Sequence, residues 1–340
     1  MNFPKISIVV PSYNQGQYLQ ETLDSIINQQ YPGLELFVAD GGSTDDSIDI
    51  IRKYENHINW WVSEKDRGQS DAINKGLRKV TGDIVTWINS DDMLTPGSLK
   101  KVADYFSKQP ADVGLIHGGT TLFKSGKEIL NDWGYKNPSL ERNLAGMAFS
   151  QPSAFFLKKY LDKVGGQVNE QLHYGMDYDL FSRLTCVCRF ISVKDIFSKY
   201  RLHDNSKSVT EQHRFIDDWN KTFVNLCRNL GWTEVVEEMK STGAVEEGVF
   251  NYQYSFNFLP DKNIINAADR TKILFYHFCY ILKALYWNDQ MDKARTLLKY
   301  LRVHYPVAWL KEEKDIPPIM KKLALPEFVL QTLKKIKKSV

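Results

Sequence analysis

The chain has 340 residues, 43% of them hydrophobic and 25% charged, a balance typical of folded soluble proteins and unlike that of disordered or collagen-like chains. Its formal net charge of +3 is too slight to imply a nucleic-acid partner, so any basic function must come from local clustering. Four cysteines (Cys186, Cys188, Cys227 and Cys279) are too few and scattered for a disulfide framework, and CVC has the wrong spacing for a zinc knuckle, which leaves reduced, buried thiols.

The opening MNFPKISIVVPSYN contains an apolar run of only five residues, 6–10, leading into proline and polar groups. That reads as a strand and is too short for a secretory signal. No stretch approaches the roughly 18 apolar residues of a spanning helix, so a cytoplasmic chain is expected. The β-branched run 6–10 suits a strand covered on both faces. Leu19, Leu23, Ile26 and Ile27 then recur at helical spacing until Tyr31-Pro32-Gly33 stops the helix. Residues 34–39 form a second strand, and Ser43 to Asp46 read as the cap region of a helix carrying Ile48, Ile51 and Tyr54. A short strand at 60–62, a helix over about 71–80 and a strand at 84–88 follow. This alternation predicts an α/β doubly wound, mostly parallel sheet.

In such sheets ligands collect where the strands end. Three predicted strands end in polar residues: Pro11-Ser12-Tyr13-Asn14, Asp40-Gly41-Gly42, and Asn89-Ser90-Asp91-Asp92. The last tetrad offers oxygen ligands suited to Mn²⁺ or Mg²⁺ shared with phosphates, and it equally fits a capping turn ahead of Thr95-Pro96-Gly97-Ser98. Residues 112–209 mix short strands (VGLIHGG, FISV) with helices, among them 180–184. Beyond Thr210 helical spacing dominates, over 215–230, 233–239, 271–287 and 291–305, with the weakest linkage at 241–243 or 260–261.

VVPSYNQGQYLQETLDSI, VADGGSTDDS, EKDRGQSDAINKG and WINSDD, in this order, resemble glycosyltransferase family 2 over roughly residues 5–209. The resemblance implies a GT-A fold, Rossmann-like, with an inverting reaction and an Asp-x-Asp-type motif that binds metal and diphosphate. The division it suggests is a GT-A domain at 1–209, with a nucleotide-sugar half to about 110 and an acceptor half from 111, followed by an all-helical region at 210–340. Position by position, Pro11, Ser12, Tyr13 and Asn14 would floor the nucleotide pocket, and Asp40 would accept from the base ring N–H. The alternative for Asp40 is a turn aspartate before two glycines. Asp66, Arg67 and Asp71 would line the nucleotide and donor-sugar side, with Gly68 permitting close backbone approach.

The tetrad has Asn89 where the family more usually has aspartate. Asp91 is then the metal ligand, Asp92 a supporting or sugar-contacting group, and Asn89 and Ser90 donor-side contacts. In GMDYDL, Met176 replaces the family's glutamate and Asp177 matches the catalytic base; capping the following helix is the structural alternative. RLHDNSKS resembles the closing segment, in which His203 would ligate the metal or meet a phosphate oxygen, or else be structural. Gln151-Pro152-Ser153 is an acceptor-wall element or a simple turn.

The implied activity moves a sugar from a nucleotide-sugar, on family analogy a UDP-sugar, to a glycan or lipid-linked acceptor in bacterial surface-polysaccharide or O-antigen assembly. A catalytically degenerate nucleotide-sugar-binding module is the competing reading, favoured by Asn89 and Met176 and opposed by Asp91 and Asp177. Nucleotidyl transfer ranks below both, because no glycine-rich, lysine-bearing phosphate loop stands near the N-terminus. The terminal PEFVLQTLKKIKKSV sets Phe328, Val329, Leu333 and Ile336 against Lys334, Lys335, Lys337 and Lys338. It reads either as a basic amphipathic helix contacting an anionic membrane, peripheral at the inner face of the plasma membrane, or as a packed terminal helix with a solvated lysine face.

Overall fold

The computed structural model describes residues 3–135, 138–203, 212–255, 258–326 and 329. Strands β1 (Ile6–Ser12), β2 (Leu34–Asp40), β3 (Trp60–Ser63) and β4 (Ile84–Trp87) form where the β-branched runs predict them. Helices α1 (Gly16–Ile27), α2 (Ser47–Lys53) and α3 (Gln69–Leu77) connect them. All four strands are parallel, in the order β3-β2-β1-β4. The chain therefore runs outward from β1 to β3 and returns across the sheet through α3. That reversal opens a crevice at the carboxyl ends of β1 and β4.

Both faces of this sheet are covered, which is why β1 reads as an unbroken apolar run. Ile8 and Val10 pack with Leu19 and Leu23 of α1 and Ile51 of α2, whereas Val9 points the opposite way, onto Ile73 and Leu77 of α3.

The second half contains β5 (Met93–Leu94), α4 (Ser98–Ser107), β6 (Val113–Lys124), β7 (Lys127–Asp132), α5 (Leu140–Ala145), β8 (Ala154–Leu157), α6 (Lys158–Lys163), α7 (Met176–Thr185) and β9 (Arg189–Arg201). The sheet continues as β4-β8-β6-β9-β5, with β7 a hairpin partner of β6. Here β8 is antiparallel to β4 and β6, and only β6 and β9 pair in parallel. The strand signals at VGLIHGG and FISV mark only parts of β6 and β9, which are 12 and 13 residues long. They pair with each other from Val113↔Arg189 to Phe123↔Arg201, and that long-range partnership buries polar positions which local hydropathy reads as loop. Thr120 and Ser198, for example, face each other with hydroxyl oxygens 2.9 Å apart. Residues Gln151–Ser153 make a single 3-10 turn into β8.

Helices Gln212–Asn229, Thr233–Ser241, Arg270–Trp287 and Met291–His304 fill the stretches expected to be helical; Lys262–Ala267, Val307–Glu312 and Ile316–Leu323 add to them. Their core includes Phe223, Trp232, Phe275, Phe278 and Leu298, and it is continuous with Leu144, Ala145 and Cys186 from the sheet-bearing part. His277 reinforces that seam, with Nδ1 2.8 Å from the carbonyl of Ala145. All four cysteines are buried free thiols, and burial pushes Cys186 up to about 12. Residues 204–208 of the closing motif lie outside the described residues, as do Phe328, Leu333, Ile336 and the lysines from Lys334 to Lys338.

Candidate active site

The crevice is built by loops that follow the strands. After β1, Ser12 is buried and its hydroxyl has no hydrogen-bond partner among the described residues, while Tyr13 is 59% exposed. Asn14 adopts φ 50°, a left-handed conformation that asparagine tolerates better than most side chains. This turns its amide oxygen onto the backbone N–H of Thr44 at 2.8 Å, while its own N–H donates to Ser43 Oγ at 2.8 Å. Asn14 thereby ties the β1 loop to the β2 loop.

Asp40 ends β2 and is 1% exposed. One of its oxygens accepts from the N–H of Gly42 (3.0 Å), the N–H of Ser43 (2.9 Å) and the Ser63 hydroxyl (2.7 Å); the other accepts from the Ser43 hydroxyl. The carboxylate is thus held by its own loop and by Ser63 at the end of β3. The neighbouring Asp66 rests against Gly41, where a side chain would have no room, and one of its oxygens accepts from the N–H of Gly68 at 2.9 Å. Gly68 has φ 116°, a backbone conformation closed to most L side chains, and it opens α3. Arg67 is exposed and reaches both Asp71 (3.1 Å) and Glu170 (2.7 Å). Asp71 is buried in the first turn of α3, and the hydrogen bond from Arg67 holds its carboxyl below the usual range despite burial.

Helix α3 also fixes the opposite wall. Asn74, fully buried, donates to the Val168 carbonyl and Glu170 (both 3.0 Å) and accepts from the Val168 N–H at 2.9 Å; Ser70 donates to the Leu172 carbonyl at 3.0 Å. Gln69 donates to Asn89 at 2.8 Å, joining α3 to the acidic loop. Sequence reasoning missed Ser70 and Asn74. The available signal was their place among apolar residues on a helix face otherwise devoted to the core.

In the loop after β4, Asp92 turns inward and is 1% exposed. It accepts from the N–H of Arg201 at 3.1 Å, and burial, followed by the charge of Asp91, holds it well above the usual carboxylate range. Arg201 also donates from Nε to the Asp91 carbonyl (3.0 Å) and pairs with Glu21 (2.5 Å), so the end of β9 is clamped over the acidic loop. The clamp delivers His203, whose Nε2 lies 3.0 Å from Asp91 Oδ2. The two side chains remain partly accessible, 11% and 21% respectively, and the Tyr18 ring packs 4.9 Å from the imidazole. A cavity of about 300 Å³ adjoins His203, bounded also by Gln17, Tyr18, Lys124, Ser125, Arg201 and Leu202.

Asp177 stands in the first turn of α7. Burial, with a contribution from the nearby charge of Asp218, raises its carboxyl to about 6, while Oδ1 accepts from the N–H of Tyr178 at 2.8 Å. Met176 packs into the apolar core beside Leu180 and Phe181, so in this chain that position serves packing. Asp218, on the helix Gln212–Asn229, accepts from the N–H groups of His173 (2.9 Å) and Tyr174 (2.8 Å), which fixes the turn leading to Asp177. Nothing local in the sequence marks Asp218, because its partners lie 44 and 45 residues away.

Among the described residues no cluster of three or more His, Cys, Asp or Glu is set to hold a metal ion. The Asp91–His203 pair nevertheless fits a divalent cation of the Mn²⁺ type: it is one hard carboxylate oxygen and one imidazole nitrogen, adjacent and reachable, with the remaining positions left to phosphate oxygens and water.

A family model described as glycosyl transferase family 2 matches residues 7–165. The chain is 26% identical over 329 residues to the hyaluronan synthase of Pasteurella multocida, an alignment covering 94% of this chain and 33% of that protein, so this chain spans about a third of that relative. In structure it is similar to S. aureus TarS 1-349 in complex with UDP-GlcNAc, with a TM-score of 0.53 and 17% identity over 81% of this chain and 91% of that one. It is also similar to the mannosyltransferase PcManGT from Pyrobaculum calidifontis in complex with GDP-Man and Mn²⁺, with a TM-score of 0.54 and 17% identity over 90% of this chain and 77% of that one.

Proposed function

We propose that this chain, which matches a model of glycosyl transferase family 2 over residues 7–165 and has a GT-A fold, transfers a sugar, with inversion, from a nucleotide-sugar to a glycan or lipid-linked acceptor in polysaccharide assembly. The observation that carries this reading is the convergence of Asp91 and His203 at the crevice where the strand order reverses. UDP is the first choice of nucleotide, because the family resemblance favours it and a structural neighbour holds UDP-GlcNAc.

In the proposed reaction the nucleotide lies over the β1 and β2 loops. The exposed ring of Tyr13 offers a face for the base, and the Ser12 hydroxyl a donor or acceptor for the ribose side. Asp40, held in place by its loop, accepts from the base ring N–H, and Asp66, Arg67 and Asp71 border the donor. Asp91 and His203 would hold a divalent cation, Mn²⁺ or Mg²⁺, which when bound offsets the charge gathering on the departing diphosphate. Asp92 and Arg201 keep that pair in place. The acceptor oxygen attacks the anomeric carbon from the face opposite the diphosphate, and Asp177 takes the acceptor's proton. A base whose conjugate acid titrates near 6 is ionised at neutral pH and still basic enough to accept a proton.

Residues 1–209 are proposed as the transferase domain, with the nucleotide-sugar side up to about 110 and the acceptor side beyond it, and 210–340 as an appended helical region. No helix among the described residues is long and apolar enough to cross a membrane. Peripheral docking at the inner face of the plasma membrane through the C-terminal lysines is proposed from sequence alone, and co-sedimentation with anionic liposomes tests it. Binding should weaken with salt and vanish on truncation after Leu325; equal sedimentation of both forms removes the helix from consideration.

The transferase reading is tested by a thermal-shift panel of nucleotide-sugars with and without Mn²⁺, followed by donor-hydrolysis assays. Stabilisation by at least one nucleotide-sugar together with release of its nucleotide supports it. Binding without turnover under any acceptor would favour a degenerate binding module.

A further inference from the structure

Four aromatic rings line up beside Asp177, three of them on the helical region. Tyr174 contacts Phe215, with ring centroids 5.2 Å apart; Phe215 contacts Trp219 at 5.7 Å; and Trp219 meets Tyr280 edge-on at 4.7 Å. All four are half-buried, neither sealed in the core nor standing free. The row is held against the base by specific contacts. Asp218, next to Trp219 in sequence, anchors the amides of His173 and Tyr174, and its Cβ lies 3.0 Å from where a Cβ on Gly175 would be. Tyr280, at the far end, is kept protonated by burial first, with Asp177 among the neighbouring charges that add to the effect.

We propose that Trp219, flanked by Phe215 and Tyr280, is a platform for the acceptor sugar, so that the helical region supplies one wall of the acceptor site and the acceptor presents a neutral pyranose ring there. The proposal rests on the transferase reading and deepens it by naming the acceptor class. A pyranose has an apolar C–H face that suits the negative face of an aromatic ring, and a rim of hydroxyls that suits nearby carboxylates. Charges of both signs border the row: Asp177 and Asp218 on one hand, and on the other Arg214, whose guanidinium meets the Tyr174 hydroxyl at 3.0 Å, Lys221, 3.7 Å from Asp218, and Lys283, 5.3 Å from the Tyr280 ring. With no single sign prevailing, the surroundings suit an uncharged ring whose hydroxyls can both donate and accept. An acceptor ring stacked on Trp219 sits next to the base that must reach its hydroxyl.

The test uses the full-length chain and an array of immobilised neutral oligosaccharides built from glucose, galactose, mannose and N-acetylhexosamine. In parallel, calorimetry with UDP and GDP in the presence of Mn²⁺ measures donor-side binding. At least one oligosaccharide should bind, Trp219→Leu should weaken that binding by about tenfold while leaving nucleotide affinity unchanged, and Trp219→Phe should restore most of it. For the matching transfer reaction the loss should fall on the acceptor KM more than on kcat. Tyr280→Leu repeats the test from a second helix should Trp219→Leu fail to fold. Absence of neutral-glycan binding, or equal binding by the leucine variants, overturns the platform and leaves the transferase reading standing. Failure to bind any nucleotide or nucleotide-sugar would instead bring down the transferase reading itself.

Discussion

His203 Nε2 lies 3.0 Å from Asp91 Oδ2 although 112 residues separate them, and this contact joins the end of the longest strand to the acidic loop after β4. On the proposed mechanism both groups would turn to a shared cation when metal and diphosphate bind. Asp91→Asn and His203→Ala should each lower Mn²⁺-dependent nucleotide affinity by at least the roughly 10–100-fold cost of disturbing a group beside a metal ligand. Calorimetry with and without chelator is the measurement. Nucleotide affinity indifferent to both substitutions and to chelator would remove the cation from this pair.

On the proposed mechanism Asp177 sets the acid limb of the pH profile. Burial, and then the charge of Asp218, pushes its carboxyl up to about 6, and only the ionised form accepts a proton. The transfer rate should climb as pH rises through about 6 and then level off, and Asp177→Asn should cut turnover by roughly 10²–10⁴-fold with donor binding intact. A flat profile across that range in the wild type, or donor affinity falling in step with rate in the variant, would take the base role from Asp177.

The same shift has a cost in stability whose sign follows from linkage. The folded chain binds the Asp177 proton more tightly than the unfolded chain, so this group favours folding most when it is protonated. That contribution is lost as pH rises through about 6. Asp177→Asn, which keeps an oxygen for the N–H of Tyr178, should therefore raise Tm at about pH 7–8 and leave it unchanged near pH 4. Thermal melts at both values decide this, and a lower Tm for the variant at neutral pH contradicts it.

Two residues after Asp177, Asp179 forms an ion pair with Arg183 at 2.8 Å, the side chains only 2% and 3% exposed. Arg183 also donates to the carbonyls of Val164 (2.5 Å) and Gln167 (2.9 Å), which binds α7 to the turn after α6. Asp179→Ala leaves a buried guanidinium without its counter-charge and should cost about 3–5 kcal/mol of stability. Urea unfolding measures the loss. Replacing both residues with apolar side chains of similar volume should recover part of it, and a single-mutant cost below about 1 kcal/mol would mean that water reaches the pair.

The amino-acid sequence by itself determined the first four strands and their helices, because each of these elements carries a complete local signature. A strand covered on both faces needs an unbroken apolar run, as at 6–10, and a helix lying on a sheet needs an apolar stripe, as at Leu19, Leu23 and Ile26. Polar residues at the strand ends marked the crevice for the same reason, since nothing in a core would retain them. Helical periodicity was equally legible beyond residue 210.

Only the tertiary structure decided how the distant parts meet. The lengths of β6 and β9 depend on each other, because Thr120 and Ser198 are buried only through cross-strand pairing. That pairing, in turn, delivers Arg201 and His203 to the acidic loop. Asp40, read from sequence as a candidate for base recognition, is oriented by its own turn and by the hydroxyls of Ser43 and Ser63, the second of them on β3. Asp218 and Trp219 gain their meaning from a turn more than forty residues away. Periodicity reports which face of an element avoids water, whereas the partner that covers that face is set by long-range packing, and this is why Asp177, Asp218 and the aromatic row come together only in the folded chain.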